Sequence, residues 1–242
     1  MLEFLQVQKS YGDRPILSIP SLQLDQGIYW LQGSNGSGKT TLLRMIAGLL
    51  PFRGDIVLKA TSLRRSPVEY RRAVSWADAE PLYPDFLKGR DLVAFYQEIR
   101  QASSQQVDSL VTLFQINSFL SAPIGTYSSG MVKKLSLVLA FIGTPSLITL
   151  DEPLVTLDKE SIPALYNLIS TSYREKNTGF LISSHQDLAT GALPEEKMLF
   201  VSGQTIHLSS PVASLSAEAN SPEANSPEAN SSEANSPYPK TP

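Results

Sequence analysis

"WLQGSNGSGKTTLL", residues 30–43, decides how the chain is read. It leads from a strand-like segment, "GIYWLQG" at 27–33, into "TTLLRMIAGLL" at 40–50, whose apolar residues recur at helical spacing up to Pro51. Between the two stand Gly33, Gly38, Lys39 and Thr40 in the pattern G-x-x-x-x-G-K-[ST]. A strand before it and a helix after it are the context this motif requires. Its residue types follow from phosphate chemistry. Glycines let the backbone wrap until successive N–H groups aim at a phosphate, a lysine brings a mobile positive charge to the β and γ oxygens, and a threonine hydroxyl suits Mg²⁺. Gly33, Ser34, Asn35, Gly36, Ser37, Gly38, Lys39, Thr40 and Thr41 are therefore the candidate nucleotide-binding residues, with Thr40 also a candidate metal ligand. A glycine turn of purely structural purpose is the alternative.

A second segment, "SLITLDEPLVTLD" at 146–158, has an apolar strand that ends in Asp151 and Glu152. Ligands of open α/β sheets bind at the carboxyl ends of the strands, so both acids are expected on the same side as the phosphate loop. There Asp151 would serve Mg²⁺ and Glu152 would polarise the water that attacks the γ-phosphate. Adjacent acids after a strand are also common turn material, and it is the phosphate loop that makes them informative. His185 closes another strand in "FLISSHQD" and is placed to touch the γ-phosphate and orient Glu152. A histidine at a strand end is usually just a surface or capping residue.

"GTYSSGMVKKL" at 125–135 opens a helix that continues as "LSLVLAFI". Ser128, Ser129 and Gly130 at its start are ordinary capping material. They are also what an anion meets at a helix N-terminus, where unpaired N–H groups and the positive end of the dipole face outward.

The rest of the chain bounds the reading. Strand patterns at 2–8 and 15–24, a mostly helical section from about 84 to 141, and alternating strands and helices to 208 predict an α/β body with an inserted helical subdomain. From Ser216 the sequence repeats as SAEAN, SPEAN, SPEAN, SSEAN, SPYPK. That composition is too poor in apolar residues to offset its ordering entropy, so 216–242 is expected to be disordered, leaving 1–215 as the folded domain. The repeat's four glutamates against Lys240 carry the whole net charge of −3, so residues 1–215 are neutral. A neutral body gives no electrostatic footprint for nucleic acid. Cysteine is absent, which excludes disulfides and thiolate metal sites. The first residues do not have the pattern of a signal peptide, and the longest apolar run, 135–143, is too short to cross a bilayer. Residence in the cytoplasm is the expectation.

Taken in order, these features resemble the ATPase subunits of ABC transporters over nearly all of residues 1–208. The matching features are an aromatic, Tyr11, in "KSYGDRPIL", the Walker A loop at 33–40 and a signature at 127–131. A Walker B strand running into "LDEP", a D-loop "TLD" at 156–158 and a switch histidine, His185, follow. "PLYPDF" with "TYSSGM" is most similar to exporters whose ATPase and membrane subunits are separate chains. The resemblance implies a P-loop NTPase core of ABC type with an N-terminal antiparallel β-subdomain and an inserted helical subdomain. It also implies ATP and Mg²⁺ as cofactors, and ATP sandwiched between two subunits, the Walker A loop of one facing Ser128, Ser129 and Gly130 of the other. Tyr11 would stack on adenine. A second ATPase subunit, in a homodimer or a pair, and a separate membrane permease would be the partners, at the cytoplasmic face of the membrane.

Three positions depart from the family pattern. The usual LSGGQ is Tyr127-Ser128-Ser129-Gly130-Met131, which keeps the serine and the second glycine. In "VSWADAEPLYP" the glutamine of the Q-loop is replaced by Ala79, flanked by Asp78 and Glu80, either of which could offer an oxygen through a water. "PLVTLD" lacks the small residues usual before the D-loop aspartate. The first two motivate an alternative, an ATP-gated regulatory clamp with weak hydrolysis. A soluble ABC ATPase acting on nucleic acid or ribosomes would need a second cassette, a coiled-coil insertion or a basic face, and none is visible.

Overall fold

A computed structural model describes residues 1–184 and 193–208. His185 and the repeat from Ser216 lie outside the described residues.

β1 (Leu2–Tyr11) and β2 (Arg14–Leu24) pair antiparallel. β3 (Ile28–Gln32) leads into α1 (Lys39–Ile46), and β4 (Arg53–Leu58), β5 (Thr61–Ser62), α2 (Pro67–Ala73) and β6 (Val74–Ala77) follow. The helical section holds α3 (Gly89–Arg100), α4 (Ser104–Leu113), a 3₁₀ turn at Ile124–Thr126 and α5 (Ser129–Phe141). β7 (Leu147–Leu150), α6 (Ser161–Lys176), β8 (Gly179–Ser183), β9 (Glu196–Ser202) and β10 (Thr205–Leu208) complete it.

Two sheets result. The smaller, antiparallel one runs β2-β1-β4-β5; the larger runs β10-β9-β3-β8-β7-β6 and is parallel except at β10. A parallel sheet has to be covered on both faces, and β3 shows how the sequence provides for it. Ile28 and Trp30 point into a core shared with α3, α4, α5 and α6, while Tyr29 and Leu31 point into a second core shared with α1 and the small sheet. α1 lies between the two sheets, which is why Leu42, Leu43, Met45 and Ile46 are all fully buried.

The helix after the phosphate loop is shorter than its apolar pattern suggests. It ends at Ile46, well before Pro51. Gly48 adopts a left-handed conformation (φ 70°), and the N–H groups of Gly48 and Leu49 turn back to the carbonyls of Met45 and Arg44. That closure satisfies the last carbonyls of the helix and stops it. Among the described residues no helix is long and apolar enough to cross a membrane.

Candidate functional site

β3 delivers the chain to the carboxyl edge of the large sheet, and the loop 33–38 turns it into α1. Gly33 is required by close approach: a Cβ there would stand 2.6 Å from both Ser37 Oγ and the Val201 carbonyl of β9. Lys39 bends back over the loop, its Nζ donating to the carbonyls of Gly33 (2.7 Å) and Ser34 (3.3 Å). Burial pushes the Lys39 pKa below the ordinary lysine value, and the nearby charges of Glu152 and Asp151 oppose that shift. α1 starts at Gly38 without a side-chain cap and with no acid in its first turn, so nothing on the helix itself offsets the positive end of its dipole.

The two acids stand on the neighbouring side of the edge. β8 separates β3 from β7, and Asp151 follows β7 directly. Asp151 is 1% exposed. Its Oδ1 accepts a 2.6 Å hydrogen bond from Ser183 Oγ, while its Oδ2 is buried without a hydrogen-bond partner among the described residues. Glu152 has a left-handed backbone (φ 45°), unusual for a residue with a Cβ and typical of the tight turns that serve sites. Its N–H donates to the same Ser183 Oγ at 3.0 Å. A cleft of about 200 Å³ brings Glu152 to the phosphate loop, lined by Ile16, Gly36, Gly38, Lys39, Thr40, Thr41 and Glu152.

This donor set suits a nucleotide-bound Mg²⁺ better than a resident metal. Among the described residues no group of three or more His, Cys, Asp or Glu could hold an ion. Mg²⁺ typically takes one or two protein ligands and fills its shell with phosphates and water. The orphaned Asp151 Oδ2 and the Thr40 hydroxyl fit that pattern.

Other residues singled out in the sequence lie elsewhere. Ser128 caps α5, accepting from Met131 N–H at 3.3 Å, and its own N–H reaches Met131 Sδ at 3.5 Å. The thioether thus closes a capping box where a glutamine usually would. Ser128 and Ser129 are exposed, and among the described residues neither these two nor Gly130 lines the phosphate-loop cleft. Lys134 of α5 forms a 2.6 Å ion pair with Asp158, which holds the Asp158 carboxyl down at about 2. Tyr11 is half exposed at the end of β1, with Lys9 Nζ 4.8 Å from its ring centre. Asp78 is not free beside Ala79: both its oxygens accept from Arg44 of α1, at 3.1 and 2.9 Å. His185 lies outside the described residues.

The sequence reading missed Ser183, Arg44 and Lys133. Ser183 sits in "LISS", where nothing distinguishes it from a strand residue, yet it is fully buried and joins the two acids. Ser183→Ala is expected to leave both partners short of a bond and to destabilise the fold by roughly 1–3 kcal/mol. A denaturant midpoint that falls at unchanged slope would show it, and an unmoved midpoint would dismiss it.

The chain is similar to known proteins over most of its length. A family model described as "ABC transporter" matches residues 17–155. The cytochrome c biogenesis ATP-binding export protein CcmA of Legionella pneumophila is 32% identical over 190 residues, covering 78% of this chain and 94% of the relative. The spermidine/putrescine import ATP-binding protein PotA of the same species is 27% identical, covering 91% of this chain and 62% of PotA. Among solved structures, an ATP-binding subunit of an ABC transporter superposes with a TM-score of 0.76 at 25% identity, over 85% of this chain and 88% of that one. An ATP-binding cassette solved as a dimer in a post-hydrolysis state with ADP and Pi shares the fold, with a TM-score of 0.72 at 15% identity over 85% and 96% of the two chains.

Proposed function

The chain belongs to the ABC transporter ATP-binding family, and from that premise we propose how its residues divide the work of an ATPase that drives a separate membrane permease. The observation that carries the reading is the cleft in which Lys39, Thr40 and Glu152 face one another. Backbone N–H groups of the loop 33–38 and the start of α1 cradle the phosphates, with Ser34, Asn35, Ser37 and Thr41 alongside, and Lys39 exchanges its carbonyl partners for phosphate oxygens. Thr40 and Asp151 would hold Mg²⁺, which supplies charge neutralisation on the β and γ oxygens when bound. Glu152 receives the proton of the attacking water. Its N–H, bonded to Ser183 Oγ, anchors the backbone from which the carboxylate extends. His185 assists at the γ-phosphate, and Tyr11 stacks on the adenine.

Ser128, Ser129 and Gly130 act on a second subunit's nucleotide. The exposure of Ser128 and Ser129, and the absence of all three from the described lining of their own chain's cleft, support that assignment. The permease contact draws support from Leu82 and Phe86, 92% and 80% exposed in the segment that follows Ala79; large apolar side chains so open to solvent mark interaction sites. The chain would sit peripherally at the cytoplasmic membrane face. A lean to export rests on CcmA, which the chain spans more completely than PotA. The domain limits 1–215, with a helical subdomain at about 84–141 and a tail at 216–242, belong to the same proposal.

Phosphate release by the purified chain tests it. Turnover that requires Mg²⁺, with an ATP-dependent doubling of mass in light scattering, is expected. Absence of ATP binding in titration calorimetry would overturn the reading, and ATP-dependent doubling with negligible release would favour the regulatory clamp.

A further inference from the structure

Lys133 has no role in the machinery described so far. It is 1% exposed, one turn into the helix that the signature opens. An ammonium so buried is costly unless every proton finds an acceptor. Here all three do: Lys133 Nζ donates to the carbonyls of Ala79 (2.7 Å), Asp78 (2.9 Å) and Asp151 (3.4 Å). Two of these belong to the segment leaving β6 and the third to the residue before Glu152. β6 and β7 are parallel neighbours in register from Val74 with Leu147 to Ala77 with Leu150, so the lysine joins the carboxyl ends of both.

The connection extends further. Asp78, whose carbonyl Lys133 holds, gives its carboxylate to Arg44 on α1, the helix that begins with Lys39. One chain of contacts therefore runs from the phosphate-loop helix through Asp78 and Lys133 to the Asp151–Glu152 peptide. Ala79 contributes only its carbonyl, because its methyl group cannot reach any partner by hydrogen bonding.

We propose that Lys133 is a positioning residue for ATP hydrolysis: from the signature helix it holds the backbone beside Glu152, so that any displacement of α5 is passed to that carboxylate. The assignment rests on the ATPase reading above. Lys133 touches no reacting atom. It acts through the peptide that carries Glu152 and through the 78–79 segment, and it makes the orientation of that acid depend on where the signature helix sits.

Lys133→Met keeps an unbranched, flexible side chain one atom shorter and loses the three donors. In the full chain kcat is expected to fall roughly 10- to 100-fold, the loss typical of outer-shell orienting groups, while the Kd for a fluorescent ATP analogue stays within about twofold of wild type. Hydrogen exchange in peptides covering 78–80 and 151–155 should quicken. Lys133→Arg, which retains charge and several donors, should recover most of the turnover. If Lys133→Met fails to fold, Arg44→Met releases Asp78 at a partly exposed position and is expected to lower kcat in the same direction. Wild-type kcat in either folded variant overturns the proposal. So does a loss that follows the melting temperature and is not recovered by arginine. An inactive wild-type chain overturns instead the ATPase reading on which the assignment stands, and unchanged exchange in both peptides then removes the link as well.

Discussion

Glu152→Gln is expected to stop turnover while preserving ATP binding. The substitution keeps side-chain volume and leaves the left-handed turn and the Ser183 contact to the residue's N–H unaltered, because both are backbone properties. What it removes is the acceptor for the proton of the attacking water. Positioned general bases contribute roughly 10²–10⁴-fold, and phosphate release should fall by that much. ATP affinity should stay near wild type, and with hydrolysis blocked the ATP-bound dimer should accumulate, visible as a stable species of doubled mass in size exclusion. This divides the variant's effect between chemistry and binding, as a loss in kcat alone must. Unchanged turnover would remove Glu152 from the role. A monomer at saturating ATP would separate nucleotide binding from subunit closure.

Lys39→Ala acts one step earlier. The side chain bridges the start of its own loop through Gly33 and Ser34, and in the nucleotide complex the same ammonium serves phosphate oxygens. Hydrogen bonds to charged groups contribute roughly 1.5–3 kcal/mol, so affinity for ATP should weaken about 10- to 100-fold. Turnover at moderate ATP falls with it. Calorimetric titration of the variant checks this directly, and full affinity would show that the backbone cradle alone retains the nucleotide. The contrast between the two variants is diagnostic: one binds and does not turn over, the other fails at binding.

The fold was legible where patterns are long or motifs dense. β1 alternates, β2 and β3 read as apolar runs bounded by Gly and Asp turns, α3 to α5 carry helical periodicity, and the G-x-x-x-x-G-K-T loop identifies its own flanks. The region from Arg53 to Ala77 was not read, because its elements are short and weakly patterned: β4 contains Gly54 and Asp55, β6 has four residues, and α2 buries only Tyr70. Gly48 lies inside an apolar run, so the early end of α1 was masked by residues that look helical on both sides. In the site, the motif residues were visible because phosphate chemistry restricts residue type. Ser183 and Lys133 were not, since both work by bonding backbone groups or a strand-end acid, and such bonds leave no periodic trace in sequence.

The place of β3 in its sheet has a consequence for how the molecule is made. β3 pairs with β8 on one side and β9 on the other, so Ile28 lies against Phe180 and Glu196. The phosphate loop itself backs onto Val201, and Ser18 N–H is fastened to the Gln204 carbonyl. Both walls of the strand that launches the loop are thus translated long after it. Pairings this distant in sequence are slow to form, because the loop-closure entropy precedes any gain. A ribosome-bound chain that has not yet released β9 has the complete G-x-x-x-x-G-K-T sequence without the surface that shapes it. A chain truncated before β9 is therefore expected to lack the backing that shapes the phosphate loop, although the whole motif is present.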